Sequence, residues 1–172
     1  MGTGTTVLEG RAISPAHVRR ALGHFATGVT VVTSLEQDDV PVGTTASAVS
    51  SLSLTPPLLL VCLERSSQTL AAIREREAFA INVLAEGQEA LSANFARRGA
   101  AVSWEDVSFR LGASGNPHLD GVLAVLDCQL EHCLDGGDHE IVIGRLHALL
   151  TDEQGRGPLL HYRGSYASLR AA

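Results

Sequence analysis

The stretch from Leu119 to Leu150 constrains the chain more than any other. Two long runs, Leu119 to Leu134 and Glu140 to Leu150, flank Asp135-Gly136-Gly137-Asp138. Apolar residues alternating on either side of a Gly-rich turn predict a β-hairpin with two long strands. A hairpin of that length has two faces to cover and therefore needs further strands. Four earlier runs supply them: Val29 to Thr33, Val40 to Val49, Leu58 to Leu63 and Phe79 to Leu84, all dense in Val, Leu, Thr and Ile. Strand and helix do not alternate at the length that parallel crossovers require, so the pattern predicts a mainly β, antiparallel barrel with flanking helices.

Three helices are expected. Ser14-Pro15 supplies a cap and a first-turn proline, and Val18, Ala21, Leu22 and Phe25 have amphipathic spacing, with an end near Thr27-Gly28. Ser67 to Arg76 places Leu70 and Ile73 on one side. Gln88 to Arg98 does the same with Leu91 and Phe95, and Gly99 follows as a stop. Gly99 to Pro117 mixes Gly, Ala, Ser and charge around Trp104 and Phe109, and reads as a long surface excursion. Thr55-Pro56-Pro57 sets an extended turn between two strands.

A length of 172 residues suits one domain, expected over residues 14–169 behind an N-terminal tail of residues 1–13. The balance of 45% hydrophobic to 19% charged residues excludes disorder. A net charge of −6 leaves no basic stripe for a duplex, so no nucleic-acid partner is expected, and any anionic ligand needs a local site. No uncharged apolar run is long enough to span a bilayer, and Met1 to Gly10 lacks the basic start and apolar core of an export signal. No membrane partner and a cytoplasmic location are therefore expected. The three cysteines are an odd count and do not suggest a disulfide framework. Cys128 and Cys133, five apart on one strand, are expected on opposite faces, unable to share a metal and serving as small hydrophobes.

Chemistry could sit in three places. Gly43 to Ser53 carries six hydroxyls and two alanines, with no side chain bulkier than Leu. Such a stretch lets a flat ligand approach the backbone while amides and hydroxyls donate to it; equally, it is a polar strand with a Ser-rich exit. Ser66-Ser67-Gln68-Thr69 opens a helix, where hydroxyls and free amides form an anion site or simply a cap. Arg65, Arg97 and Arg98 could add positive charge for a phosphate, or serve helix dipoles. Gly137-Asp138-His139 sits at the hairpin tip, either a mobile, reactive contact where an imidazole meets a second ligand or an ordinary turn. No HxxxH, HExxH, GxSxG, P-loop or strand-linked GxGxxG occurs, so no metal site, hydrolase or Rossmann dehydrogenase is indicated.

Taken in order, Phe25-Ala26-Thr27-Gly28-Val29-Thr30-Val31-Val32-Thr33, Gly43-Thr44-Thr45-Ala46-Ser47 through Ser50-Ser51-Leu52-Ser53, and Pro56-Pro57 resemble the flavin reductase family with the FMN-binding split barrel. Asn82-Val83-Leu84, Phe95-Ala96, Pro117 to Gly121, Gly137-Asp138-His139 and Pro158 to Tyr166 fall in the family's order too. The match covers about residues 14 to 169 and is similar to the reductase components of two-component flavin-dependent monooxygenases. It implies an antiparallel, Greek-key-like split β-barrel and a homodimer binding FMN or FAD. It also implies hydride transfer from NADH or NADPH and release of reduced flavin to a separate oxygenase. By the same resemblance Thr45, Ala46, Ser47, Ser50 and Ser51 would line the flavin, and Ser67 and Thr69 would sit at its phosphate. Phe95, Ala96 and Arg97 would close the other side. His139 would be the catalytic contact to the nicotinamide, joined by Tyr162, Arg163 and Tyr166. Two other readings use the same barrel: a flavin carrier without turnover, and an oxidase or oxygenase working on its own bound flavin.

Overall fold

A computed structural model describes residues 13–97 and 102–169. The expected tail of residues 1–13 lies outside the described residues except for Ile13, and so do Arg98 and the Gly99 stop. The elements run α1 (Pro15–Leu22), β1 (Thr27–Gly28), β2 (Thr30–Leu35), β3 (Pro41–Ala46), β4 (Val49–Leu54) and β5 (Pro57–Glu64). Then follow α2 (Gln68–Arg76), β6 (Ala78–Val83), α3 (Glu89–Phe95), β7 (Phe109–Leu111) and β8 (Pro117–Leu119). The chain continues with β9 (Ala124–Gly136), β10 (His139–Thr151), β11 (Leu160–Tyr162) and β12 (Ser165–Ala167).

Seven strands form one antiparallel sheet in the order β3-β2-β6-β9-β10-β5-β4. Laid flat, its two edges would stand about 29 Å apart at the usual strand spacing. Yet the edge strands β3 and β4 are joined only by Ser47 and Ala48. Three steps of extended chain reach at most about 11 Å, so the sheet must curl until its edges face each other. The two edges are not hydrogen-bonded to each other, which makes the barrel a split one with its seam closed at one corner by Ser47–Ala48.

The single expected strand Val40 to Val49 is therefore two strands, because the corner falls inside it. The long hairpin is present as β9–β10, but β9 starts at Ala124 rather than Leu119. Gly121 in the left-handed region (φ +70°) turns the chain between β8 and β9. The turn Gly137-Asp138 has two residues, with a positive φ of 79° at Gly137, the chemistry of a type II′ hairpin. Pairing shifts between Ile143 and Gly144, where Leu130 and His132 are opposed and Glu131 is the extra residue. That bulge reverses the strand's alternation, so Cys128 and Cys133 both face the main core, contrary to the opposite-face expectation.

Both faces of β2 are covered. Val32 joins a core with Val61, Leu70, Ile73, Phe79, Ile81, Cys128 and Val142, while its neighbour Val31 joins Val29, Leu84, Phe95, Leu119 and Leu159. Trp104 and Phe109 pack on this second core, so the excursion expected at the surface is partly core and holds the β7–β8 hairpin. Gly144 sits where a Cβ would come within 2.5 Å of Phe79 Cζ and 2.9 Å of Cys128 Cβ. Gly144→Ala is expected to cost about 1–3 kcal/mol by overpacking. An unchanged denaturant midpoint would show that β10 can shift outward.

Helix ends follow the sequence in two cases. Ser14 caps α1 through His17 N–H, and Ser67 caps α2 by accepting from Leu70 N–H at 3.4 Å. Helix α1 stops at Leu22, and Thr27–Gly28 instead pairs with β11 as a short strand. Helix α3 stops at Phe95, so Arg97 stands beyond it rather than in its last turn.

Candidate active site

The seam corner and the start of β10 meet around one end of β5. Ala48 accepts from Cys62 N–H at 3.0 Å, two residues before the end of β5 at Glu64. On the other side of β5, His139 pairs with Glu64. Strand spacing puts β4 and β10 about 10 Å apart across β5. The chain leaves β5 through Arg65 and Ser66 to the Ser67 cap of α2. Ser47, Ser67 and His139 are thus gathered at one end of the barrel. Ser47, Ser50 and Ser51 are exposed, Ala46 is buried, and Ser50 and Ser51 run away from that end, opposite Leu60 and Leu59.

A second group adjoins the corner through β3. Thr45 Oγ1 donates to the Ser92 carbonyl at 2.7 Å, and the Tyr166 hydroxyl donates to Ser92 Oγ at 2.9 Å. Ser92, on the buried side of α3, therefore ties β3 to β12. Phe95 is packed over Gly43, where a Cβ would come within 2.8 Å of its ring, and edge-on to Trp104 at 5.0 Å. A serine on the apolar face of a helix, one turn before Phe95, was the available sequence signal for Ser92. Asn82 is a further hidden organiser: it accepts from Leu119 N–H and donates to Val31 O and Thr33 Oγ1.

Other expected site residues are placed differently. Thr69 is buried within α2, and Ala96 and Arg97 are exposed past the end of α3. His161 opposes Tyr166, so strand alternation sends the Tyr162 side chain to the other face of the β11–β12 hairpin. There Tyr162 meets His24 edge-on at 6.5 Å, and Arg163 N–H donates to Gly23 O. Tyr162 and Arg163 thus stand against α1, apart from Thr45 and Ser92.

The His139 turn is clamped, which corrects its expected mobility. Arg65 N–H donates to Asp138 O at 3.2 Å and Arg65 Nε to Gly137 O at 2.8 Å. Its Nη1 and Nη2 reach Glu140 at 2.9 Å and Asp135 at 2.7 Å. Arg65 is therefore engaged by the turn rather than held ready for a phosphate, a fork geometry that lysine could not copy. Arg74 also pairs with the buried Glu140. His139 Nδ1 lies 2.7 Å from Asp138 Oδ1, with the imidazole side chain 37% exposed.

Asp135 accepts from Gly137 N–H at 2.9 Å, and this bond, followed by the Arg65 guanidinium, holds its carboxyl below the ordinary 3.8. A lowered pKa means that the contact is present above the ordinary value and is lost only as pH falls through the lower one. The Gly137 amide resonance should accordingly titrate with a midpoint below 3.8; a midpoint at or above it would mean the turn is not clamped in solution.

The Cys128 and Cys133 thiols are unsuited to nucleophilic work. Burial, then the Asp127 charge, pushes the Cys128 thiol up to about 12, and burial raises Cys133 as well. Among the described residues, no group of three or more His, Cys, Asp and Glu could hold a metal ion, and no helix is long and apolar enough to cross a membrane.

Comparison with known proteins identifies the family. The chain is 40% identical over 171 residues to the reductase subunit HsaB of a flavin-dependent monooxygenase from Rhodococcus jostii (strain RHA1), covering 97% of this chain and 84% of that protein. It is 45% identical over 151 residues to a flavin reductase (NADH) from Kitasatospora aureofaciens, covering 85% and 77%. The crystal structure of a nitrilotriacetate monooxygenase component B homolog from Mycobacterium thermoresistibile superposes with a TM-score of 0.85 at 37% identity, over 90% of this chain and 86% of that one. The flavin reductase like domain model matches residues 22–170, nearly the whole split barrel and its seam, and the chain belongs to that family.

Proposed function

We propose that the chain is a flavin reductase that passes a hydride from NADH to FMN or FAD and supplies the reduced flavin to a separate monooxygenase. The observation that carries this is the corner at Ser47–Ala48, a small-residue seam beside the end of β5 with His139 one strand beyond. The residues there fit a flavin: side chains are small, hydroxyls are exposed, and the capped start of α2 adjoins them. When both are bound, nicotinamide gives up a hydride and flavin accepts it, so the chain needs no nucleophile, metal or acid–base pair of its own.

In this reading Ser47, Ser50 and Ser51 with the backbone of Thr45 and Ala46 orient the flavin ring, and Ser67 with the start of α2 holds its phosphate. Phe95, supported by Trp104, backs the seam beneath Gly43. His139, aimed by the clamped turn, orients the nicotinamide. NADH is preferred because relatives from Kitasatospora aureofaciens and Rhodococcus sp carry the names flavin reductase (NADH) and NADH-dependent flavin reductase. A homodimer is part of the proposal. Helix α1 buries none of its residues, and Leu22 and Phe25 stand 66% and 75% exposed, an apolar face that a second copy would cover. Light scattering should return twice the chain mass.

Steady-state oxidation of NADH and NADPH, each with FMN and FAD, tests the assignment. Turnover should require added flavin and favour NADH. Tightly held flavin with no response to added flavin would instead identify a carrier.

A further inference from the structure

A cleft of about 380 Å³ opens between α1 and the β11–β12 turn, lined by Arg19, Arg20, Gly23, His24, Arg163 and Gly164. Among the described residues its lining contains three guanidinium groups, one imidazole and no carboxylate. The bias extends into the sequence: from Ile13 to Leu35 and from Gly157 to Leu169 there is no Asp or Glu, in a chain whose net charge is −6. The charge of the cleft's own lining is therefore opposite in sign to that of the whole chain.

The cations are also held in place. Arg163 occupies the left-handed region (φ 50°) in a two-residue turn with Gly164 (φ 80°), a conformation that side chains other than Gly, Asn and Asp seldom adopt. Its N–H bond of 2.8 Å to Gly23 O pins the turn to the end of α1. Its guanidinium carbon lies 5.8 Å from the Tyr162 ring centroid, and its Nη2 lies 3.5 Å from His24 Nε2. That contact is a hydrogen bond in which the guanidinium donates to the imidazole nitrogen, and it holds Arg163 beside His24. Gly23 N–H already caps the Arg19 carbonyl, so the end of α1 has a backbone partner and does not require the arginine heads.

We propose that this cleft is an anion site in which Arg19, Arg20, His24 and Arg163 hold a phosphate group. The chemistry is that of charge-assisted, bidentate guanidinium recognition. Two sources present it: free phosphate or pyrophosphate, and the phosphates of an adenine mononucleotide. The proposal goes beyond the reductase reading and is tested without flavin or turnover, so the two can fail separately.

The test is calorimetric titration of the full chain with sodium pyrophosphate and, separately, with ADP. Saturable binding is expected, weakened at least about tenfold for both probes in R19Q/R20Q and in R163Q. Because Arg19 and Arg20 are themselves exposed, the ligand-free melting temperature of R19Q/R20Q should match that of the unaltered chain. ADP binding about tenfold tighter than pyrophosphate assigns the site to a nucleotide, and equal binding assigns it to phosphate alone. Absence of saturable binding, or equal binding by the unaltered chain and R19Q/R20Q, overturns the proposal.

Discussion

Replacing Asp127 with alanine is expected to destabilise the fold by about 3–5 kcal/mol, because a buried carboxylate is removed from partners that stay buried. Asp127 is fully buried on β9. Its Oδ1 accepts from Asn116 Nδ2 at 2.8 Å, and its Oδ2 meets His118 Nε2 at 2.8 Å and the Ser114 hydroxyl. His147 Nε2 stands 3.8 Å away. The network fastens β8 and the loop before it to the barrel, and Thr33 Oγ1 adds a bond to Pro117 O at 2.6 Å. Alanine would leave the donors of Ser114, Asn116 and His118 without their acceptor, each a desolvated group whose orphaning is costly. For a domain of this size the loss amounts to roughly 10–15 °C in melting temperature. Asp127→Asn should lose less, since one carbonyl oxygen remains. A change of less than about 1 kcal/mol in the alanine variant would mean that the β7–β8 segment is not fastened this way.

The second large effect is on catalysis. His139→Ala is expected to lower kcat/KM for the nicotinamide about a hundredfold, with flavin affinity nearly unchanged, because a positioning contact is lost at the reacting end. Arg65→Ala should reproduce most of that loss from a distance. Its guanidinium spans the turn through Asp135, Gly137 and Glu140, so its removal frees the segment that aims the imidazole. Arg65→Lys should not rescue, since a single ammonium cannot replace the fork. Since Arg65 would act through His139, the double variant should be no slower than His139→Ala alone. Additive losses, or an equal fall in flavin affinity, would separate Arg65 from the nicotinamide and undo the division of roles.

The sequence disclosed what depends on local periodicity and turn chemistry. The Ser67 cap, Leu70 and Ile73 beneath α2, and the Gly137-Asp138 turn are all where their residues indicate. What it hid are the places where tertiary closure overrides local pattern. The corner at Ser47–Ala48 has no Gly or Pro to mark it; it exists because opposite edges of one sheet have to meet. The bulge at Glu131 likewise leaves no local sign, yet it turns Cys133 to the face of Cys128. Trp104 and Phe109 sit in a stretch rich in small and charged residues, and they are core because they help cover the outer face of β2.

For the candidate site, the hydroxyl-rich segment and the histidine turn were visible as chemistry. Their adjacency was not, because it is set by the pairing of β5 with β4 on one side and β10 on the other. The arginine expected to serve a phosphate proved to be the turn's clamp for the same reason.

The central claim is that this barrel reduces free flavin catalytically. Anaerobic stopped-flow mixing of the chain with NADH and a large excess of FMN or FAD measures that most directly. The account predicts loss of the flavin's visible absorbance far beyond one equivalent per chain, at a rate proportional to enzyme. Bleaching that stops at one equivalent, or none above the rate without enzyme, would contradict it.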